Sequence, residues 1–398
     1  MKTKLRLPFL VLLPFATPLP AAPAPVPSFK AVVVDAQIQI GYGLAVADVN
    51  GDKRPDIILA DKNQIVWYEN PSWTKHVMTE QLTPRDHVCI AAQDLDGDGK
   101  CEVAVGAGWN PSDTLNSGAV FYLIPPADRT QKWEAVALPF EPTVHRMRWI
   151  TNAAGRHELL VAPLHGRGNT PATGEGAGAK ILIYHKPADP RSPWTTEVLD
   201  DTLHKTHNFD RVQWDGKMGD EILVASKEGL TLLTRVAGKT VRTLIAGGEG
   251  GGAGEVRTGK FAKGKPFLAT VEPMHGTTLA VYTPPASAGS KALWTRQVLD
   301  ESLVEGHALA CGDLSGTGVD QIVVGWRGAG KPGTKVGIKL FTPTDKTGKH
   351  WQQTLIDDDG MACEDLLLAD LNGDGRLDII AAGRATKNVK IYFNQGVK

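Results

Sequence analysis

The sequence predicts an all-β fold, a seven-bladed β-propeller closed by an N-terminal outer strand. Three observations carry this: a four-strand unit recurring about every 45 to 65 residues, seven apolar or aromatic third strands, and acidic turns at one fixed point of the unit. At 42% hydrophobic and 22% charged, with 43 Gly and 26 Pro, the 398-residue chain is that of a folded, turn-rich protein and not a disordered one. Lys+Arg at 43 against Asp+Glu at 44 leaves no broad basic field, so nucleic acid and anionic lipid are not expected as partners.

From the start of the chain, Lys2, Lys4 and Arg6 precede the apolar stretch Leu7 to Phe15 and the small-residue run Leu19 to Ala24. This is the order of a secretory signal, expected over residues 1–24, with cleavage somewhere in 21–24. The prolines at 8, 14 and 18 break the stretch, and no later segment approaches the ~20 apolar residues of a membrane helix. The mature chain is expected to be secreted or periplasmic, without membrane insertion.

Four copies of the unit are plain: Leu44 to Asp52 with Ile57 to Ala60, Ile90 to Gly99 with Val103 to Gly106, Leu309 to Thr317 with Ile322 to Gly325, and Leu367 to Gly375 with Ile379 to Ala382. Three worn copies, Val144 to Ala162, Phe209 to Ala225 and Glu255 to Val271, keep two apolar strands without the acidic turn. Third strands follow at Val66 to Tyr68, Val120 to Tyr122, Ile181 to Tyr184, Leu230 to Leu233, Leu279 to Tyr282, Ile338 to Phe341 and Ile391 to Phe393. Fourth strands such as Trp194 to Leu199, Trp294 to Leu299 and Trp351 to Ile356 match the early segment Phe29 to Val34, which begins no blade of its own. Residues 29–36 are therefore expected to complete the last blade and close the ring, giving one propeller over 29–396 without a long exposed sheet edge. Cys89 and Cys101 fall near opposite ends of one hairpin, roughly 15 Å apart by strand rise, too far to bridge. With Cys311 and Cys363 they are expected as buried thiols.

The acidic turns place oxygens at positions 1, 3, 5 and 9: Asp48, Asn50, Asp52 and Asp56; Asp94, Asp96, Asp98 and Glu102; Asp370, Asn372, Asp374 and Asp378. Alternate spacing turns several oxygens onto one tight loop, and the interleaved glycines permit its curvature, which is hard-cation chemistry. Asp and Gly favour turns in any case, an explanation that suits one loop better than three. Three structural calcium sites tying first strand to second are expected, and Asp313, Ser315 and Thr317 form a charge-poor vestige. The pattern resembles the FG-GAP or VCBS repeat family of integrin α-chain propellers and many bacterial exported proteins, a resemblance that implies the fold and says little about activity.

Chemistry is expected on the opposite mouth, where inner strands start and second strands end. Starts carry Tyr42, His87, His145, Arg146, His207, Asn208, Glu255, His307, Glu364 and Asp365; ends carry Trp109, His165, Arg167, Lys227, Glu228, His275, Trp326, Arg327 and Arg384. With His204, seven of the eleven histidines fall there. Converging imidazoles and carboxylates suit a second divalent metal or general acid and base work, and the aromatics suit stacking on a sugar ring. The bland reading of each is a hydrogen-bonded structural histidine, an interblade packing aromatic, or an arginine paired with Glu364, Asp365 or Glu255.

The segments Thr206 to Asp210, Glu305 to Ala308, and Glu272 to Gly276 resemble the propeller domain of the aldos-2-ulose dehydratase family. That resemblance implies water elimination from a keto-sugar, with His207, His307 and His87 as candidates for base, acid or metal ligand. Fungal members carry cupin-like domains after the propeller, so a chain ending at Lys398 is expected to lack any isomerase step housed there. The leading expectation is a β-elimination enzyme, dehydratase or lyase, acting on a keto-sugar or uronate through catalytic His87, His145, His207 and His307. Tyr42, Trp109, Arg146, His165, His275, Trp326, Arg327 and Glu364 are expected to contact a carbohydrate or other small ligand. The alternative is a calcium-stabilised binding or adhesion propeller without catalysis. The enzyme reading requires the four catalytic histidines to share one cavity; oligomeric state is not legible.

Overall fold

The computed structural model describes residues 25–248, 250–287, 291–328 and 333–397. The expected leader lies outside them, and among the described residues no helix is long and apolar enough to cross a membrane.

Seven four-stranded antiparallel sheets are present, six of them in simple sequential order. The seventh takes its outer strand from the front of the chain: Pro27–Asp35 pairs with Asn388–Val397, antiparallel, outside Asp378–Gly383 and Cys363–Ala369. This is the closure expected from Phe29 to Val34, and it removes the free edge that the last blade would otherwise expose. We number the blades 1 (43–80), 2 (89–137), 3 (144–200), 4 (208–247), 5 (255–300), 6 (306–358) and 7 (363–397 with 27–35).

Second strands such as Asp56–Ala60, Glu102–Ala107, Glu221–Ser226 and Asp378–Gly383 are buried along their whole length. They are packed on both faces by neighbouring blades, which is why they read as unbroken apolar runs. Outer strands alternate or lie exposed, as in Thr195–Asp200 and Lys239–Gly247. Apolar clusters form between adjacent blades, one joining Leu44 and Ile57 of blade 1 to Ile380 and Ile391 of blade 7 across the closure.

All four cysteines are free thiols, three fully buried. Burial pushes the Cys89 thiol up to about 12. Cys89 begins the inner strand Cys89–Gln93, whereas Cys101 immediately precedes the second strand Glu102–Ala107 at the far end of that hairpin.

The three acidic turns repeat one hydrogen-bond pattern. Position 1 accepts from the backbone N–H groups of positions 4 and 6: Asp48 from Gly51 and Lys53, Asp94 from Gly97 and Gly99, Asp370 from Gly373 and Gly375, with Asp374 as a third donor to Asp370. Asp56 and Asp378, both fully buried, spend their two oxygens on two N–H groups each, Val49 with Asn70 and Leu371 with Asn394. The side chains of Asn70 and Asn394 reach in turn to Leu371 O and Leu314 O of the preceding blade, so position 9 also joins blade to blade. Glu102, longer by one methylene, accepts from Leu95 N through one oxygen and lies 3.9 Å from Arg129 through the other; the ligand atoms of Asp94, Asp96 and Glu102 lie within 4.8 Å of one another.

Candidate functional site

The strand register defines one repeat position around the mouth: the residue just before, or bulged into, the start of each inner strand. In blade 3 a register shift between Val144 and Arg146 sets off His145. In blade 6 a shift between Gly306 and Ala308 sets off His307, and in blade 7 one between Cys363 and Asp365 sets off Glu364. His207, Val88 and Gly254 precede the first full pairs Asn208↔Ala225, Cys89↔Gly106 and Glu255↔Val271, and Tyr42 precedes Gly43↔Ala60. The ring therefore reads Tyr42, Val88, His145, His207, Gly254, His307, Glu364. Bulges re-aim side chains out of the sheet plane, and three of these residues owe their direction to one.

Three histidines of this ring are bound to it identically. His145 Nδ1 donates to His207 O at 2.9 Å, His207 Nδ1 to Gly254 O at 3.0 Å, and His307 Nδ1 to Glu364 O at 2.5 Å. Each imidazole thus donates to the backbone carbonyl of the same ring position in the next blade. A proton held on Nδ1 leaves Nε2 as a lone pair aimed at the axis.

His275 is the fourth member. It stands on the loop after the second strand of blade 5, Pro266–Glu272, at φ 55°, a left-handed conformation that histidine adopts more readily than most residues. Gly254 makes room for it, because a Cβ there would lie 2.7 Å from Met274 Cα. His275 Nε2 is 3.0 Å from His207 Nε2, and Arg327 Nη2 donates to His275 Nδ1 at 3.3 Å. With Nδ1 accepting, His275 carries its proton on Nε2 and donates it to His207. Ring centroids separate by 4.6 Å for His145 and His207, 4.8 Å for His207 and His275, 5.1 Å for His207 and His307, and 4.8 Å for His275 and His307. The ligand nitrogens of His207, His275 and His307 all lie within 4.8 Å of one another.

Burial holds His145, His207, His275 and His307 below the ordinary histidine range, and nearby Arg146 and Arg327 add to it, so all four are neutral at pH 7. Neutral imidazoles are what a divalent ion or a proton transfer needs. Two nitrogens each about 2.1 Å from a tetrahedral ion lie about 3.4 Å apart, so the set fits such an ion. His207 and His307 fit as they stand; His275 fits after its proton moves to Nδ1, at the expense of its contact with Arg327.

The surrounding residues hold the cluster. Trp109 stacks on His145 at 4.8 Å and 30°. Arg146 Nη1 donates to His145 Nε2 at 3.0 Å, so His145 is engaged and is not a free ligand. Buried Glu255 accepts from Asn208 Nδ2 at 2.6 Å, and burial pushes its carboxyl up. Glu364, 2% exposed, is clamped between Arg327 at 2.7 Å and Arg384 at 2.9 Å. Arg384 also covers the Tyr42 ring at 5.3 Å, and Tyr42 OH donates to Asp86.

Several expected site residues fall elsewhere. His87 is one residue out of register: Val88 holds the ring position in blade 2, and a one-residue offset sends the His87 side chain to the other face. It is fully buried beside the backbone of Asp61 and Gln64, and its backbone N–H is bonded to Lys62 O. The shared cavity expected for four catalytic histidines thus lacks His87, and His275 takes the fourth place. His165, also buried, is tied through its backbone to Thr143. His204 pairs with Glu228 at 2.8 Å away from the cluster. Trp326 is a packing residue: it lies in an apolar core, donates Nε1 to Lys335 O, and has Lys339 over its ring at 5.1 Å. Glu364 binds arginines and has no oxygen to spare for a ligand. Arg148, Arg211 and Arg257, which line the channel below the histidines, were not expected; the signal was the two-residue alternation of Arg146 with Arg148 and of Glu255 with Arg257.

Residues 117–285, which contain His145, His207 and His275, match the β-propeller domain of aldos-2-ulose dehydratase. Residues 48–105, with the first two acidic turns, match an FG-GAP-like repeat. The chain is 26% identical over 346 residues to aldos-2-ulose dehydratase of Phanerodontia chrysosporium, covering 80% of this chain and 37% of that protein. Among solved structures, one from the mitotic checkpoint complex is similar at a TM-score of 0.57 and 14% identity, covering 98% of this chain and 99% of that one. The Cps50 (Swd1) β-propeller domain of Myceliophteria thermophila is similar at 0.53 and 11%, covering 91% and 99%. At such identities these two bear on the fold alone. The chain is a seven-bladed propeller that carries FG-GAP-like repeat sequence in its first two blades and is similar, through the blades that supply three of its four converging histidines, to the propeller domain of aldos-2-ulose dehydratase.

Proposed function

We propose that this propeller eliminates water or an alcohol from a keto-sugar or uronate at its histidine mouth. The observation that supports it is the convergence of three neutral imidazoles, His207, His275 and His307, two of them fixed by Nδ1 bonds to the next blade's carbonyl. Elimination beside a carbonyl needs a base for the α-proton, positive charge for the enolate oxygen, and an acid for the leaving oxygen.

His307 Nε2 is without a hydrogen bond among the described residues and serves as the base, its ring held by Glu364 O. Arg327 and Arg146, beside His275 and His145, stabilise the developing enolate oxygen. The His307 imidazolium formed in that step returns the proton to the departing oxygen and is neutral again, while His275, the most exposed of the four, keeps its Nε2 proton on His207 and holds the two rings in place. Trp109 offers a stacking face for the sugar ring. A divalent ion on His207, His275 and His307 would supply Lewis acidity toward the carbonyl. At the opposite face we read the acidic turns as calcium staples, that of Asp94, Asp96 and Glu102 having the best-assembled carboxylates, and the N-terminal leader as an export signal.

Purified protein incubated with keto-sugars and uronic oligosaccharides, with and without chelator, should produce conjugated enones visible in the ultraviolet. His307→Ala should slow this by about 100-fold or more. No absorbance change on any of these substrates, with the variant indistinguishable from wild type, would sink the proposal in favour of a binding propeller.

A further inference from the structure

Three residues beyond the histidine ring, about 10 Å further along the inner strands, the channel reaches another repeat level. Register places Ala45, Ala91, Arg148, Asp210, Arg257 and Leu367 there, and all six line one cavity of about 320 Å3. The two alanines leave the space. Arg148 and Arg257 project into it, and Arg211 lines it one residue further toward the acidic-turn face.

The charges at this level do not cancel. Asp210 turns one oxygen to Thr258, accepting from both its N–H and its hydroxyl at 3.0 Å. Arg257 donates to Val256 O at 2.6 Å and lies 3.6 Å from Glu255. Arg211 donates to Trp149 O and to Gln93. Arg148 stacks on Phe209 at 5.4 Å and has neither a hydrogen bond nor an ion pair among the described residues. Burial pushes its guanidinium down to about 10, with Arg257 and Arg211 adding to the shift. Asp210 and Asp365 oppose that shift from a distance, and burial pushes the carboxyls of Asp365 and Glu255 up. Arg148 is half-buried, and a guanidinium set partly out of water without an ion-pair partner is costly, while a narrow low-dielectric channel concentrates its field.

We propose that the lower half of the channel is an oxyanion-binding chamber, in which Arg148 and Arg257, with Arg211 beside them, receive the carboxylate or phosphate of a small ligand. Guanidinium forks match both groups in a way that ammonium groups do not. The volume is at the small end for ligand sites, which suits a free oxyanion or a compact sugar acid and excludes an oligosaccharide. The chamber is separate from the histidine nitrogens, so binding there does not depend on the elimination chemistry.

The test is thermal stability and calorimetric titration of the full chain with inorganic phosphate, with glucuronate, and with glucose as an uncharged partner of similar size to glucuronate. Stabilisation by phosphate or glucuronate but not glucose is expected, and which anion binds tighter identifies the source. Arg148→Gln should weaken that binding at least tenfold, Arg148→Lys should restore part of it, and His307→Ala should leave it unchanged. If Arg148→Gln does not fold, Arg257→Lys and the wild-type contrast between anion and glucose decide. Equal effects of glucose and the anions, no binding of either anion, or full anion affinity in Arg148→Gln would each overturn the proposal.

Discussion

Replacing Glu364 by Gln tests whether the mouth is held by charge. The carboxylate is 3% exposed and meets Arg327, itself 11% exposed, at 2.7 Å, while its second oxygen meets Arg384, 40% exposed, at 2.9 Å. The Arg327 side is a buried charge-assisted bond worth about 1.5–3 kcal/mol; the Arg384 side, screened by water, is worth about 0.5 kcal/mol. Glutamine keeps the shape and one acceptor but removes the charge, and Arg327 retains Glu305 at 2.9 Å as a second partner. The expected loss is therefore about 2–3 kcal/mol. At about 2.1 cal/mol/K per residue, a chain of 398 residues has an unfolding entropy of about 0.8 kcal/mol/K, so Tm should fall by about 2–4 °C. Urea denaturation of Glu364→Gln beside Arg384→Met separates the two sides, the second variant losing well under 1 kcal/mol. Glu364→Gln within about 0.5 kcal/mol of wild type would refute the reasoning.

Two further outcomes follow from burial. Native protein should take up no iodoacetamide at pH 8 on Cys89, Cys101 or Cys363, because the thiols are inaccessible and pushed up, while denatured protein should show all four cysteines free; a native mixed count would mean a blade opens. Burial also pushes Asp56 up to about 6 from 3.8. The folded chain then binds a proton the unfolded chain has released, so this contribution to stability is full below 3.8 and is lost as pH rises through about 6. Chelator-treated wild type should accordingly lose stability between pH 4.5 and 7 relative to Asp56→Asn, and an identical pH dependence in the two proteins would remove Asp56 as the cause.

Blade count and closure were legible because both rest on local patterns. Third strands such as Val66 to Tyr68 are packed on both faces, so their apolar character survives even in the blades whose acidic turn has worn away, and Phe29 to Val34 matches the other fourth strands with no inner strand ahead of it. The site was legible only to within a residue. His145, His207 and His307 were found because each stands at a strand start, but a strand start read from sequence is uncertain by one or two residues. In a period-two structure that uncertainty decides the face. His87 and Trp326 are the result: the first is one residue early, and the second faces the interblade core. Glu364 stood at the right position, but whether it holds a ligand or two arginines depends on Arg327 and Arg384 arriving from separate strands.

Blades 3, 4 and 5, whose acidic turns are worn, supply His145, His207 and His275, and the same sector is the polar one a level further down. An intact turn and a polar channel are set at opposite ends of the same inner strand and need not compete, yet blades 1 and 2 line the chamber with Ala45 and Ala91 whereas blades 3, 4 and 5 line it with Arg148, Asp210 and Arg257. Large polar residues on one sector need space, and the alanines of the other sector provide it across the axis. Gly254 does the same one level up, giving its side-chain volume to the His275 loop and its carbonyl to His207. The histidine level and the arginine level thus share a sector, neutral imidazoles above guanidinium groups. A ligand bearing an oxyanion below and a carbonyl above would be aligned by the channel itself, with the roughly 10 Å between levels setting the length that such a ligand must span.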